Sequence, residues 1–170
     1  MTDREEARFA DLVRQVNRDG KLDQMKRFIQ HGTVTTYDHV LSVARMSYRM
    51  NLFLKAKADE EALVRGALLH DYFLYDWHKW NGVKKGALHG LFHPGHALQN
   101  AKRDFTLTPR EENIIYSHMW PLTPFQIPKT KEAVIVCIAD KICSTKETLF
   151  ARSKKCAKKE NAGAETGKAD

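Results

Sequence analysis

The stretch ALLHDYF (residues 67–73) joins an apolar run to an adjacent histidine and aspartate, His70 and Asp71. A helix is predicted to begin upstream, because Asp59 is a suitable N-cap and two glutamates follow it in the first turn. Its apolar stripe is Leu63, Gly66, Ala67, His70 and Phe73. Two strong metal-binding side chains are therefore expected at the end of a core-facing helix.

The rest of the chain shows the same helical periodicity, and no stretch alternates long enough to indicate a sheet. Further helices are predicted at about 3–17, about 22–30, from Thr36, from Pro94 to about Arg103, from Thr108 and from Thr130. Thr108-Pro109-Arg110-Glu111 reads as a capping box with proline at the first helical position. The sequence thus predicts an all-α bundle.

Length and charge indicate one folded domain with a basic tail. The 170 residues suit a single domain, which we place at 1–150. Residues 151–170 are rich in Lys, Ala and Gly, and we expect them to be disordered. This tail holds six basic and three acidic residues, so it carries +3 of the net charge of +7. The remaining +4 suits a protein that handles small anions as well as one that contacts a polyanion.

Targeting features are lacking in this sequence. No stretch approaches the roughly 18 apolar residues of a membrane span, and the N-terminal MTDREEARF has no apolar signal core. Cys137, Cys143 and Cys156 match no zinc or disulfide spacing, and we interpret them as reduced thiols. A cytoplasmic protein without a membrane partner is expected.

Six potential metal ligands are spread over separate predicted helices. They are His39, His70, Asp71, His93, His118 and Asp140. Taken singly, each is better explained by an ordinary hydrogen bond or an ion pair. Taken together, they favour a metal site in the core of a bundle, where ligands project from facing helices. Nitrogen and oxygen donors without a thiolate suit Mn, Fe, Co, Ni or Zn.

These residues resemble the signature of the HD-domain metal-dependent phosphohydrolases. That signature is a histidine, a His-Asp pair and a distant aspartate, here His39, His70-Asp71 and Asp140, over roughly residues 32–147. His93 and His118 look like the additional histidines of the dinuclear branch, which includes HD-type hydrolases of diadenosine tetraphosphate. The Gly-Tyr-Pro segment of the cyclic-dinucleotide branch is missing.

The resemblance implies an HD-domain helical bundle with one or two divalent metal ions per chain. Asp71 would bridge the two ions, His39, His70 and Asp140 would complete the first site, and His93 and His118 would hold the second. A metal-activated hydroxide would then cleave a phosphoester or phosphoanhydride bond of a nucleotide-like small molecule. In this interpretation Asp71, His93 and His118 are the catalytic residues.

Several polar residues near the signature could contact such a substrate. They are Lys79, His89, Lys141 and Ser144. A solvated surface is the better explanation of the loop lysine taken alone, and His89 could instead be a metal ligand or an ordinary loop residue.

Two other classes of function compete with the enzyme. One is a non-catalytic HD scaffold that binds a nucleotide or regulates a partner, although the complete set of ligands argues against it. The other is nucleic-acid binding, which is disfavoured because the basic excess is concentrated in the tail without interleaved aromatic residues.

Overall fold

The computed structural model describes residues 1–76 and 89–166, and within them the side chains of residues 31, 89, 152 and 154–166 are left out. The described elements are α1 (Asp3–Val16), a 3₁₀ helix (Lys21–Arg27), β1 (Ile29–His31), β2 (Val34–Thr35), α2 (Thr36–Phe53), α3 (Glu60–Leu69), α4 (His89–Asp104), α5 (Pro109–Ser117) and α6 (Lys131–Thr166). The prediction of an all-α fold is confirmed, with one small hairpin as the described exception.

Side-chain caps fix where the site-bearing helices begin. Thr35 accepts a hydrogen bond from the amide of Asp38 at 3.1 Å, and Asp59 accepts one from Ala62 at 3.1 Å. At α5 the capping box of Thr108 and Glu111 is complete in both directions. These caps satisfy amides that have no partner inside the helix. The predicted starts at Asp59 and Thr108 are confirmed.

The helix predicted at about 22–30 is wrong in its second half. A 3₁₀ helix ends at Arg27, and the chain then enters the antiparallel hairpin of β1 and β2. Gly32 turns the hairpin at a φ of +62°, in the left-handed region that glycine adopts without steric cost. Two short strands around one glycine lack the alternation from which a sheet could be predicted.

Pro94 is not the first residue of its helix, as the sequence had indicated. The helix α4 starts at His89, so Pro94 lies inside it. A proline there forgoes one backbone hydrogen bond, and the preference of proline for first turns therefore predicted the wrong boundary.

The helix α3 lies at the centre of the bundle and packs against α1, α2, α5 and α6. Where α3 packs against α5, a Cβ placed on Gly66 would come within 2.5 Å of Cδ1 of Ile114. Leu63, Ala67 and Ile114 are fully buried around this contact. The glycine therefore lets two ligand-bearing helices approach closely.

The last helix, α6, continues to Thr166, through most of the segment in which we expect a disordered tail. Residues 167–170 lie outside the described part of the chain, and the disorder of the tail stays a prediction. None of the helices within residues 1–76 and 89–166 is long and apolar enough to cross a bilayer.

Candidate metal centre

All six predicted ligands lie together in the interior of the bundle. His39 comes from α2, His70 and Asp71 from the end of α3, and Asp140 from α6. His93 comes from α4, and His118 caps the end of α5. Each of the six residues is buried. Five helices therefore contribute polar groups to one core region, which is costly unless the groups are paired or hold a cation.

The segment after α3 is tied to α4, and this fixes the direction of Asp71. The side-chain amide of Asn100 donates to the carbonyls of Tyr72 at 3.2 Å and Phe73 at 2.9 Å. The hydroxyl of Tyr72 donates to Asp104 at 3.0 Å. The segment on the C-terminal side of the aspartate is thereby held to one helix by two hydrogen bonds at its backbone and one at a side chain.

The first group of potential ligands is His39, His70 and Asp71. Oδ2 of Asp71 lies 3.6 Å from Nε2 of His39 and 3.5 Å from Nε2 of His70. Oδ1 of Asp140 lies 3.2 Å and 3.8 Å from the same two nitrogens. Donors at about 2.0–2.2 Å from one ion are separated by about 3–4 Å, so these spacings suit a single metal ion.

The second group is Asp71, His93 and His118. Oδ1 of Asp71 lies 3.1 Å from Nε2 of His93 and 3.5 Å from Nε2 of His118. The two oxygens of one carboxylate thus face two different pairs of histidines. This is the arrangement expected of a carboxylate that bridges two ions.

Hydrogen bonds on the outer side of the rings select the tautomers. Nδ1 of His70 donates to the carbonyl of Ala67 at 2.7 Å, and Nδ1 of His118 donates to that of Ile115 at 2.7 Å. Nδ1 of His39 faces the carboxylate of Glu147 at 3.0 Å. In neutral rings, a proton on Nδ1 leaves the lone pair of Nε2 directed into the centre, as metal ligation requires.

Electrostatics keep both aspartates ionised. Burial alone would raise the pKa of Asp71, but the charge of His70 and the contacts with His118 and His93 hold that pKa well below its usual range. Burial likewise opposes ionisation of Asp140, and contacts with His39 and His70 outweigh it, so the pKa of Asp140 is also well below its usual range. Two carboxylates therefore stay charged in the core.

His39 and His118 differ in their affinity for a proton. Burial disfavours protonation of His39, but the contacts with Asp140 and Glu147 prevail and raise its pKa to about 10. Burial lowers the pKa of His118 to about 4. The carboxylates around His39 thus attract positive charge strongly. His118, in contrast, is neutral at physiological pH, with an Nε2 lone pair that can bind a metal ion.

A divalent cation fits this arrangement. Nε2 of His70 and Oδ1 of Asp71 are buried and make no hydrogen bond of standard geometry to the described part of the chain. Such atoms are expensive to bury without a partner. Because both point between the other ligands, an ion in each group would satisfy them.

Of the four residues predicted to contact a substrate, two lie near the metal centre and two have side chains that are not described. Nζ of Lys141 lies 2.9 Å from the carbonyl of His118, and Oγ of Ser144 donates to Oδ1 of Asp140 at 3.1 Å. Both are close to the centre but engaged with the protein, so substrate contact by them stays a prediction. Lys79 lies outside the described residues, and of His89 only the backbone position at the start of α4 is described.

Two residues of the site were not predicted from the sequence. The side-chain amide of Gln30 donates to Oδ2 of Asp71 at 2.6 Å, and Glu147 contacts His39. A polar residue in a three-residue strand gives no sequence signal of its own. Glu147 could have been suspected, because it lies seven residues after Asp140 and therefore on the same face of α6.

The comparison with protein families agrees with this geometry. A sequence model described as HD domain matches residues 36–145, well over half of the chain. The chain belongs to the HD domain family. Members of this family are commonly metal-dependent hydrolases. No curated protein and no solved structure gives a significant match, so the resemblance to the diadenosine tetraphosphate hydrolases stays a prediction.

Proposed function

We propose that this HD domain is a metal-dependent phosphohydrolase that cleaves a phosphoester or phosphoanhydride bond of a nucleotide-like small molecule. The observation that carries the proposal is the carboxylate of Asp71, whose two oxygens face His39 and His70 on one side and His93 and His118 on the other. Two divalent ions bound there would polarise a phosphoryl oxygen and lower the pKa of a water molecule.

The residues of the chain hold the metal ligands in position and exclude water from them. Asp71 sets the separation of the two groups, and Asp140 adds a second carboxylate to the first group. The outer hydrogen bonds of His70 and His118 fix their rings before a substrate arrives. A preorganised buried centre of this kind stabilises charge that develops at phosphorus without a reorganisation cost.

The alternative is a binding or regulatory module on the same scaffold. Such a module needs no bridging carboxylate and no second pair of histidines. Because both groups of ligands are complete and buried, hydrolysis is the better supported function.

The test is a panel of phosphorylated compounds with protein loaded with Mn²⁺, Fe²⁺ or Co²⁺. The panel includes a phosphomonoester, a phosphodiester, nucleoside monophosphates and a dinucleoside polyphosphate, and the readout is phosphate or nucleotide release. We expect turnover with at least one class, loss of turnover with chelator, and at least about a 10³-fold loss in Asp71→Asn, because a bridging ligand serves both ions. Nucleotide binding without turnover would instead establish the binding module.

A further inference from the structure

Two residues contact the ligands of the first group from outside the segment that the HD domain model matches: Gln30, which is buried, and Glu147, whose side chain is 12% exposed. Gln30 precedes residues 36–145 and Glu147 follows them. We propose that Gln30 and Glu147 form a clamp that orients Asp71 and His39 for metal binding. Both act as positioning residues, and the inference rests on the proposed function because it concerns the same site.

Glu147 holds His39 with both carboxylate oxygens. Oε2 and Oε1 lie 3.0 Å and 3.2 Å from Nδ1 of His39. A carboxylate that accepts the Nδ1 proton fixes the plane of the ring and makes Nε2 a more basic donor. The carboxylate is mostly buried, so its charge is poorly screened by solvent.

Gln30 holds Asp71 at the oxygen that faces the first group. Its Nε2 lies 2.6 Å from Oδ2 of Asp71, and its Oε1 accepts from the hydroxyl of Thr36 at 3.4 Å. The carboxylate of Asp71 assigns the orientation of the amide, because its oxygens only accept hydrogen bonds and the NH₂ group of Gln30 must therefore face them, which leaves Oε1 toward the hydroxyl of Thr36. The hairpin register is irregular between Ile29 and His31, and a bulge at this point can turn a side chain inward.

The hairpin that carries Gln30 packs against the helix that carries Glu147. A Cβ placed on Gly32, at the turn of the hairpin that carries Gln30, would come within 2.6 Å of Cβ of Ala151. Ala151 lies one helical turn beyond Glu147 on α6. The hairpin therefore contacts α6 one turn from Glu147. The contact of Gln30 with Asp71 and that of Glu147 with His39 both depend on this packing.

A purely structural role for Glu147, as a tether between α6 and α2, is the rival explanation. The chain offers a matched control in Glu6, which tethers α1 to α2 through Arg45 at 2.6 Å without touching any of the six ligands. Glu147→Gln keeps the shape and a hydrogen-bond acceptor for His39 but removes the charge. A tether should tolerate it, whereas a residue that raises the basicity of His39 should not.

The experiment is a titration of chelator-treated protein with Co²⁺, followed by visible absorption of the bound ion and by metal analysis. We expect two ions per wild-type chain, with one of them bound about 10- to 100-fold more weakly in Glu147→Gln and with an altered absorption band. Gln30→Met, which removes the donor at similar volume, should weaken the same ion. Glu6→Gln should match the wild type, and circular dichroism verifies that every variant is folded.

The outcomes separate the clamp from the function. Equal Co²⁺ affinity and an unchanged band in folded Glu147→Gln and Gln30→Met would overturn the clamp while leaving the hydrolase intact. Weaker binding in Glu6→Gln as well would show general loosening of α2 and would also overturn it. Failure of the wild type to bind Co²⁺ would overturn both the proposed function and the clamp.

Discussion

Nε2 of His93 lies 2.7 Å from Nε2 of His118, although the two residues come from different helices. The Nδ1 proton of His118 is committed to the carbonyl of Ile115, so its Nε2 offers a lone pair. Two ring nitrogens this close either share a proton or lie beside the same cation. Oδ1 of Asp71 is within 3.5 Å of both nitrogens, so the three potential ligand atoms of the second group lie together.

Replacing His93 by alanine should therefore abolish metal binding by the second group and leave metal binding by the first group intact. Metal analysis under saturating Mn²⁺ should give about two ions per wild-type chain and about one in His93→Ala, with most turnover lost. His96→Ala is the control, because His96 is an exposed residue of the same helix. A wild-type stoichiometry of one that does not change in His93→Ala would contradict the dinuclear centre and move His93 to the substrate pocket.

The stability of chelator-treated protein should fall on both sides of about pH 6.5. The folded-state pKa of His118, about 4, lies below its ordinary 6.5, so the unfolded chain takes up a proton first and stability falls as the pH drops from 6.5 to 4. The pKa of His39 is raised to about 10, so its contribution is lost as the pH rises from 6.5 to 10. The acid limb (pH 4 to 6.5) and the alkaline limb (pH 6.5 to 10) of the plot of unfolding free energy against pH each have a slope of at most about 1.4 kcal/mol per pH unit for one proton.

Thermal unfolding at fixed ionic strength measures both limbs. His118→Gln should flatten the acid limb between pH 4 and 6.5 and leave the alkaline limb in place. Asp71 and Asp140, whose pKa values lie well below the usual range, contribute only at lower pH. An acid limb of unchanged slope in His118→Gln would show that other groups cause it.

Much of the centre could be predicted because its signals are local. His70 and Asp71 follow an apolar helix, and Asp140 interrupts another, so each stands out against its neighbours. Gln30 and Glu147 could not be found in the same way, since their roles depend on the packing of the hairpin against α6. Pairing of two very short strands and the tolerance of Pro94 within α4 are also set by tertiary contacts.

Gly66→Ala should destabilise the fold, because the added methyl group would overlap Ile114 at 2.5–2.9 Å. Overpacking of this kind costs about 1–3 kcal/mol, which is about 2–10 °C in Tm for a chain of this size. Gly95→Ala is the matched control, since a Cβ there meets nothing within 4 Å and alanine favours a helix. The free energies of unfolding of the two variants, measured with urea, should change in opposite directions, and an unchanged value for Gly66→Ala would refute the close approach of α3 and α5.

Two truncations of α6 should have different effects. Removing residues 154–170 should leave Tm within about 2 °C and the metal content unchanged, because this segment is polar and has no apolar periodicity with which to bury surface. Removing residues 148–170 also takes away Ala151, which packs against the turn of the hairpin at Gly32, and leaves Glu147 at a frayed helix end. This second truncation should lower both Tm and the affinity for the first ion, although Glu147 is still present. Equal loss in the two truncations would show that residues 154–170 dock on the domain.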